Sequence, residues 1–290
     1  MKTIITKDSG IDPINEAHVI PAIVRKDFKL EYKDGIDITS TDVLKGLDEG
    51  HIYQTAAPSI EDYDRTFREA LRCGGDEVVH LSMSSGISEG SVNTANVMAN
   101  SVNPEKISVI DTKTAATGGT LIDIYAEYLA KEGLSAKEIV KELEEYKKTI
   151  QTAFFVPNPI GFLNSGRDKT DESMTMKFKR LGLGALQKLG YKYRVDFNEE
   201  GNLNIKDMMR GTSQTKAMEM IQRIVNDDTI EKYDSSTVVL GTVAEGVVDM
   251  EALENYLKKY FNYVVRRDIG ATVAAYGSKD LIGLSLKRKR

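Results

Sequence analysis

Two short hydroxyl-bearing segments carry the residues best suited to chemistry: Thr55-Ala56-Ala57-Pro58-Ser59 and Ser84-Ser85-Gly86-Ile87-Ser88-Glu89-Gly90-Ser91. Each precedes a helical pattern. A helix start exposes unpaired N–H groups and the positive end of the helix dipole, so an anion can settle there. Two such starts side by side would hold a carboxylate or a phosphate without metal or cofactor. Ordinary N-capping is the plainer role for the same residues; their repetition on one sheet edge is what raises them. Arg167, after Gly166, and Arg210, before Gly211, are further candidates for pairing with an anion. Asp8-Ser9 ends a strand pattern where open parallel sheets present ligand loops, and it is equally good turn chemistry. Thr117-Gly118-Gly119-Thr120 opens a helix but lacks the Walker lysine and the dinucleotide glycine spacing, so close helix–sheet packing is its expected role. His18, His51 and His80 share no metal-ligand spacing, and no metal or cofactor is expected. His80 sits in an apolar strand pattern and reads as a hydrogen-bonded core residue. Cys73, which precedes Gly74-Gly75, is expected to pack rather than react.

The elements that must position these groups alternate in the first half of the chain. Short apolar runs at Thr3–Thr6, Val78–Leu81 and Ile107–Ile110, with Thr152–Val156 later, are separated by helical periodicity. That alternation predicts a parallel sheet with crossover helices. Tyr63, Phe67 and Leu71 recur at helical spacing, and Ser135-Ala136-Lys137-Glu138 is a capping box. After Val156 the pattern changes. Pro157, Pro159 and Gly161 mark a boundary, and the remainder mixes helices with strands, including a hairpin turned at Asn198–Asn202 and a closing series at Tyr263–Arg266, Thr272–Tyr276 and Leu281–Leu286. The expected architecture is α/β: a parallel-sheet N-terminal domain over residues 1–156 and a smaller α+β C-terminal domain over residues 157–290.

Composition narrows the function classes. The chain has 290 residues, 41% of them hydrophobic, which suffices for two cored domains. Its net charge of −5 is spread among mixed acids and bases, so a nucleic-acid partner is disfavoured. The basic tail Leu286–Arg290 reads as a solvated end. A lone cysteine fits a reducing compartment. The N-terminus runs directly into a strand pattern, and no apolar run approaches the ~18 residues that span a bilayer. A cytoplasmic protein without a membrane span is expected.

Taken in order, these segments resemble the DegV family of bacterial fatty-acid-binding proteins, the lipid-presenting subunits of fatty acid kinase. Ile4–Asp12 is similar to that family's opening Asp-Ser motif, Thr55–Ser59 to its Thr-Ser-Gln-Pro-Ser turn and Ser84–Ser88 to its second serine turn. Val109–Lys113, Ser165-Gly166-Arg167 and Arg210-Gly211-Thr212 fall where the family has comparable residues. The resemblance implies a non-catalytic, two-domain protein that encloses an acyl chain in an interior tunnel. It makes Thr55 and Ser88 head-group ligands, with Gly86 and Arg167 in the same site, and it places Tyr276 where the family carries a histidine. A long-chain fatty acid is the implied ligand and a separate kinase the implied partner. Glu89, an extra residue before Gly90-Ser91, and the polar Ser278-Lys279-Asp280 depart from the family pattern. They keep two alternatives open: an enzyme acting on a small carboxylated or phosphorylated metabolite, and a regulatory binding module.

Overall fold

Strand β1 (Thr3–Asp8) is buried along its whole length and pairs in parallel with β6 (Glu77–Ser82), Thr6 lying opposite His80. β2 (Val19–Ile20) and β7 (Ile107–Asp111) complete a parallel sheet in the order β2-β1-β6-β7. The computed structural model describes residues 2–157, 189–226, 232–243 and 248–289. Alternation along the strands sends neighbouring residues to opposite faces. Ile4 and Val78 join Tyr63 and Phe67 of α2 (Ile60–Arg72) and Met98 of α3 (Ser85–Val102). Ile5 and Val79 join Ile122 and Leu129 of α4 (Thr117–Lys131) and Leu143 of α5 (Ala136–Tyr146). Helices thus cover both faces, which is why these strands read as near-continuous apolar runs.

The second sheet has six strands in the order β10-β9-β8-β13-β11-β12. They are β8 (Ile150–Val156), β9 (Tyr191–Phe197), β10 (Leu203–Arg210), β11 (Tyr233–Thr242), β12 (Tyr263–Asp268) and β13 (Ile282–Arg288). β11 and β12 run parallel; every other pairing is antiparallel. β8, which pattern alone attaches to the first half of the chain, pairs with β9 and β13 and so belongs here. Phe155, Ile282 and Leu284 face α6 (Ser213–Asn226) and α7 (Met250–Leu257) through Ile221 and Leu253. The opposite face presents Phe154, Val156, Tyr193 and Val195 toward the first domain. The result is the two-domain α/β fold that alternation and hairpin signals predict.

A third unit was not legible in the periodicity. β3 (Ile23–Lys26), β4 (Leu30–Lys33) and β5 (Tyr53–Ala56) form a small antiparallel sheet in the order β4-β3-β5. α1 (Ser40–Asp48) packs with it, started by a Thr39/Asp42 capping box. Val24, Val43, Leu44 and Tyr53 from this unit share one apolar cluster with Phe154, Tyr193 and Ile269. The segment Thr272–Tyr276, whose element type the pattern left open, begins within a short helix, α8 (Ala271–Ala274). Its first amide and the Thr272 hydroxyl are both taken by Asp34, so a tertiary contact overrides the strand preference of Thr and Val.

The start of α4 meets the second sheet along a seam of buried hydroxyls. Thr114 Oγ1 donates to Thr152 Oγ1 at 3.0 Å, Ser285 Oγ donates to the same oxygen at 3.0 Å, and Thr117 Oγ1 lies 2.8 Å from Ser285 Oγ. Gly118 allows this approach, and Gly119 allows the turn after β1 to pack on the other side of the helix start, as the packing role expected for both requires. A methyl at Gly119 would stand 2.3 Å from Ile11 Cβ and 2.7 Å from its Cα. Gly119→Ala gains about 1 kcal/mol of helix propensity and incurs about 1–3 kcal/mol of overpacking. The expected outcome is a net loss of up to about 2 kcal/mol in urea unfolding. An unchanged midpoint would show that the segment around Ile11 yields freely.

Candidate functional site

Thr55 lies in β5, opposite Val24, rather than in a free turn. Its Oγ1 is 2.6 Å from the hydroxyl of Tyr276, a residue 221 positions away. Tyr276 directly follows α8 and Ala275, is 8% exposed, and joins the apolar cluster shared by the small sheet and β8–β9. Two hydroxyls therefore meet at the edge of an apolar region, with Tyr32, Leu47, Leu203 and Val273 half-buried against it.

The second segment comes to the same place. A methyl at Gly90 would stand 3.5 Å from Ala57 Cβ, so the two hydroxyl segments abut. Ser84 caps α3 through the Gly86 amide at 3.2 Å, and its hydroxyl donates to the Gly201 carbonyl at 2.8 Å. Gly86 is exposed against the β9–β10 turn, where an added Cβ would lie 2.3 Å from the Gly201 oxygen. That contact accounts for the glycine and ties the serine segment to the second domain.

Ser88 breaks α3. Its φ of −147° and ψ of 70° interrupt the helix, which restarts beyond it. The Ser88 and Ser91 hydroxyls are 2.8 Å apart, across the break. The restart directs the positive end of a helix dipole toward Ser88, which suits an anion. The other two starts are already satisfied. At α2, Ser59 caps the Asp62 amide at 3.1 Å, and Asp62 in turn accepts from Lys33 and Arg65. At the first turn of α3, Asp111 accepts the Ser85 amide at 3.1 Å, while Lys113 bridges Asp111 and the Ser85 hydroxyl.

A buried network supports Ser88 from below; sequence reasoning named Asp8, Tyr63 and His80 separately but not their connection. Asp8 accepts from the Tyr63 hydroxyl at 2.8 Å, the Ser82 hydroxyl at 2.8 Å and the Met83 amide at 2.9 Å. The Tyr63 hydroxyl also lies 3.3 Å from the carbonyl of Ser91, the partner of Ser88. Burial, and then the Asp8 charge, push the Tyr63 phenol well above its usual range. His80 is fully buried, with Nδ1 3.0 Å from Thr6 Oγ1 and its ring edge-on to Tyr63 and Phe67. Its Nε2 stands 3.3 Å from Asp8 Oδ1 without hydrogen-bond geometry. It is the core histidine that its apolar strand implies. Ser9 is likewise structural, donating to Asp34 at 2.8 Å and accepting the Ala22 amide at 3.0 Å.

Other sequence candidates stand apart. Arg167 lies outside the described residues. Arg210 is exposed at the end of β10, opposite Tyr191. Cys73, expected to pack, is exposed as the C-cap of α2, because the helix ends before its side chain can reach the core. Lys279 pairs with Asp48 of α1 at 2.6 Å, so this part of the divergent polar segment fastens α1 to the turn after Tyr276. Two surface cavities, of about 430 Å³ beside Tyr125, Tyr146 and Lys287 and about 710 Å³ beside Arg194, Asp207 and Arg223, touch none of Thr55, Ser88 and Tyr276. The site is thus identified by convergence of hydroxyls on an apolar cluster, not by cavity size. Among the described residues no helix is long and apolar enough to cross a membrane.

A family model described as "Uncharacterised protein, DegV family" matches residues 14–289. A DegV domain-containing protein of Staphylococcus aureus is 27% identical, the match covering 99% of each chain. Among solved structures, the fold is similar to that of a DegV family protein from Thermus thermophilus described for fatty acid binding, with a TM-score of 0.84, 24% identity and full coverage of both chains. It is also similar to the fatty acid kinase B3 protein of Streptococcus pneumoniae loaded with linoleic acid, with a TM-score of 0.81, 17% identity and full coverage of both chains.

Proposed function

The chain belongs to the DegV family, and from that premise we propose that it binds a long-chain fatty acid and presents it to a separate kinase. The observation that carries this reading is the Thr55–Tyr276 hydroxyl pair at 2.6 Å, set on the rim of a cluster that includes Tyr53, Phe154 and Tyr193. Thr55, Tyr276 and Ser88 hold the carboxylate, with Arg167 and the Gly86 segment completing the head-group end. The acyl chain runs into the apolar region between the small sheet and β8–β9. The chain before β8 supplies the Thr55 and Ser88 segments, and the six-stranded sheet that begins with β8 closes over the acyl chain, with Tyr276 joining the head-group end from that side. That solved relatives were found loaded with fatty acids supports the choice of ligand.

The energetics favour this division of labour. Each buried methylene contributes about 0.8 kcal/mol, so a chain of a dozen or more dominates affinity. Each charge-assisted hydrogen bond adds roughly 1.5–3 kcal/mol before the carboxylate's desolvation is subtracted. The head site therefore fixes orientation, leaving the carboxylate where a kinase can reach it. The protein is a carrier that catalyses no step itself, and it works in the cytoplasm.

Mass spectrometry of lipid extracted from purified protein is expected to find a fatty acid, or added palmitate or oleate to be taken up. Absence of acyl ligand together with no uptake would overturn the proposal. Turnover of a small ester or phosphoester that Ser88→Ala abolishes would replace it with an enzyme.

A further inference from the structure

Two buried carboxyl groups that the head-group site does not use converge on the segment leading to Tyr276. We infer that Asp12 and Asp34 form a protonation-dependent clamp on α8, so that pH sets how firmly Tyr276 is held against Thr55.

The geometry is compact. Asp12 follows the short turn after β1 and adopts a left-handed conformation with φ of 48°; Asp34 follows β4. Each is 4% exposed. The Gly270 amide donates to Asp12 Oδ1 at 3.0 Å, and the Ala271 amide to Asp34 Oδ1 at 2.9 Å. Thr272 and Ser9 donate their hydroxyls to Asp34 Oδ2. Both acids flank one glycine: a methyl at Gly270 would stand 3.2 Å from Asp12 Oδ1 and 3.4 Å from each Asp34 oxygen. α8 then leads through Ala275 to Tyr276, four residues beyond Thr272.

The charges around the pair do not balance. Arg267 and Asp268, at the end of β12, face Asp12 with opposite signs, and Arg267 also donates to the Pro13 carbonyl. From α4 only the Thr120 hydroxyl reaches Asp12, bonding its backbone carbonyl at 2.7 Å. The hydrogen-bond donors to Asp34 are neutral (Ser9, Ala271 and Thr272), and Asp12 is its like-charged neighbour. Asp12 Oδ2 is buried without a hydrogen-bond partner, which is costly for an ionised oxygen and is relieved by a proton. Burial, opposed by the Gly270 amide and reinforced by Asp34, holds Asp12 well above the usual carboxylate range; burial also raises Asp34.

The sign follows by linkage. With α8 released, both carboxyl groups meet water and titrate in their ordinary range. The clamped state binds a proton more tightly, so closure is favoured at low pH. That advantage is lost as pH climbs from the ordinary carboxylate range through the raised values. Each unit separating the two states corresponds to about tenfold in the closing equilibrium.

Amide hydrogen exchange of the 269–277 segment, without ligand and corrected for intrinsic rates, reads the clamp directly. Wild-type protection is expected to fall about tenfold or more with rising pH, and Asp12→Asn to make that fall clearly smaller, leaving the part due to Asp34. If that variant does not fold, carbon-detected titration of the wild-type aspartates serves instead, with at least one carboxyl expected well above the ordinary range. Protection independent of pH, an Asp12→Asn profile like the wild type's, or ordinary titration of every aspartate would overturn the clamp.

The coupling to ligand rests on the fatty-acid reading, and a comparison of palmitate with its methyl ester across pH tests it separately. The acid's affinity is expected to weaken more in wild type than in Asp12→Asn. A pH-dependent clamp in a protein that binds neither lipid would overturn the fatty-acid reading and leave the clamp standing. Equal pH profiles for palmitate in both proteins would overturn the control of the site.

Discussion

Alanine in place of Asp8 is expected to destabilise the protein by about 3–5 kcal/mol and to loosen the Ser88 end of the proposed head-group site with it. The Asp8 side chain is the common acceptor for the Tyr63 and Ser82 hydroxyls and the Met83 amide, all buried. A buried donor left without a partner costs about 1–3 kcal/mol. Three such donors would exceed 5 kcal/mol at the upper end, but water entering the new space recovers part of that. Tyr63 also approaches the Ser91 carbonyl, and Ser91 holds Ser88, so the damage should travel to the site. Urea unfolding measures the first effect and palmitate binding to the folded fraction the second. A loss below about 1 kcal/mol would mean that the network contributes little to the fold.

Tyr276→Phe is expected to weaken binding of a fatty acid about tenfold or more while leaving its methyl ester nearly unaffected. The substitution keeps the ring that packs in the shared apolar cluster and removes only the hydroxyl facing Thr55. A hydrogen bond to a charged group is worth about 1.5–3 kcal/mol, and 1.4 kcal/mol is a factor of ten in affinity. Desolvation of the carboxylate puts the expected effect toward the lower end of that range. Combining Tyr276→Phe with Thr55→Val should give less than the sum of the single losses, because the two hydroxyls share one task. Equal losses for acid and ester would show that Tyr276 acts through packing alone.

Much of the frame was legible because its causes are local. Ile4, Ile5, Val78 and Val79 announce a sheet buried on both faces, since alternate residues must each find apolar partners. Tyr63 and Phe67 at helical spacing, the Ser135–Glu138 capping box and the Asn198–Asn202 turn are signals carried within a few residues. Gly118 and Gly119 were legible as packing glycines because their segment lacks the residues of a phosphate-binding loop, although the partners they pack against are distant. The small sheet was not. β3, β4 and β5 are only four residues long, too short for alternation to register, and β5 pairs with β3 across the intervening helix α1. The helix at Ala271–Ala274 was also hidden, because Asp34, which holds its first turn, is more than 230 positions away.

The candidate site divides along the same line. Sequence alone nominated the two hydroxyl-rich segments before helices, and the resemblance to the family singled out Thr55 and Ser88 within them and Tyr276 beyond. Residue type and near-neighbour spacing determine which atoms can donate to an anion. Only the tertiary structure decided that Thr55 and Tyr276 meet, that α3 breaks at Ser88, and that Asp12 and Asp34 close on Gly270. Those outcomes depend on how two independently cored domains and a small sheet pack together. Packing is a sum of many weak contacts between distant segments, and no short stretch of chain encodes it.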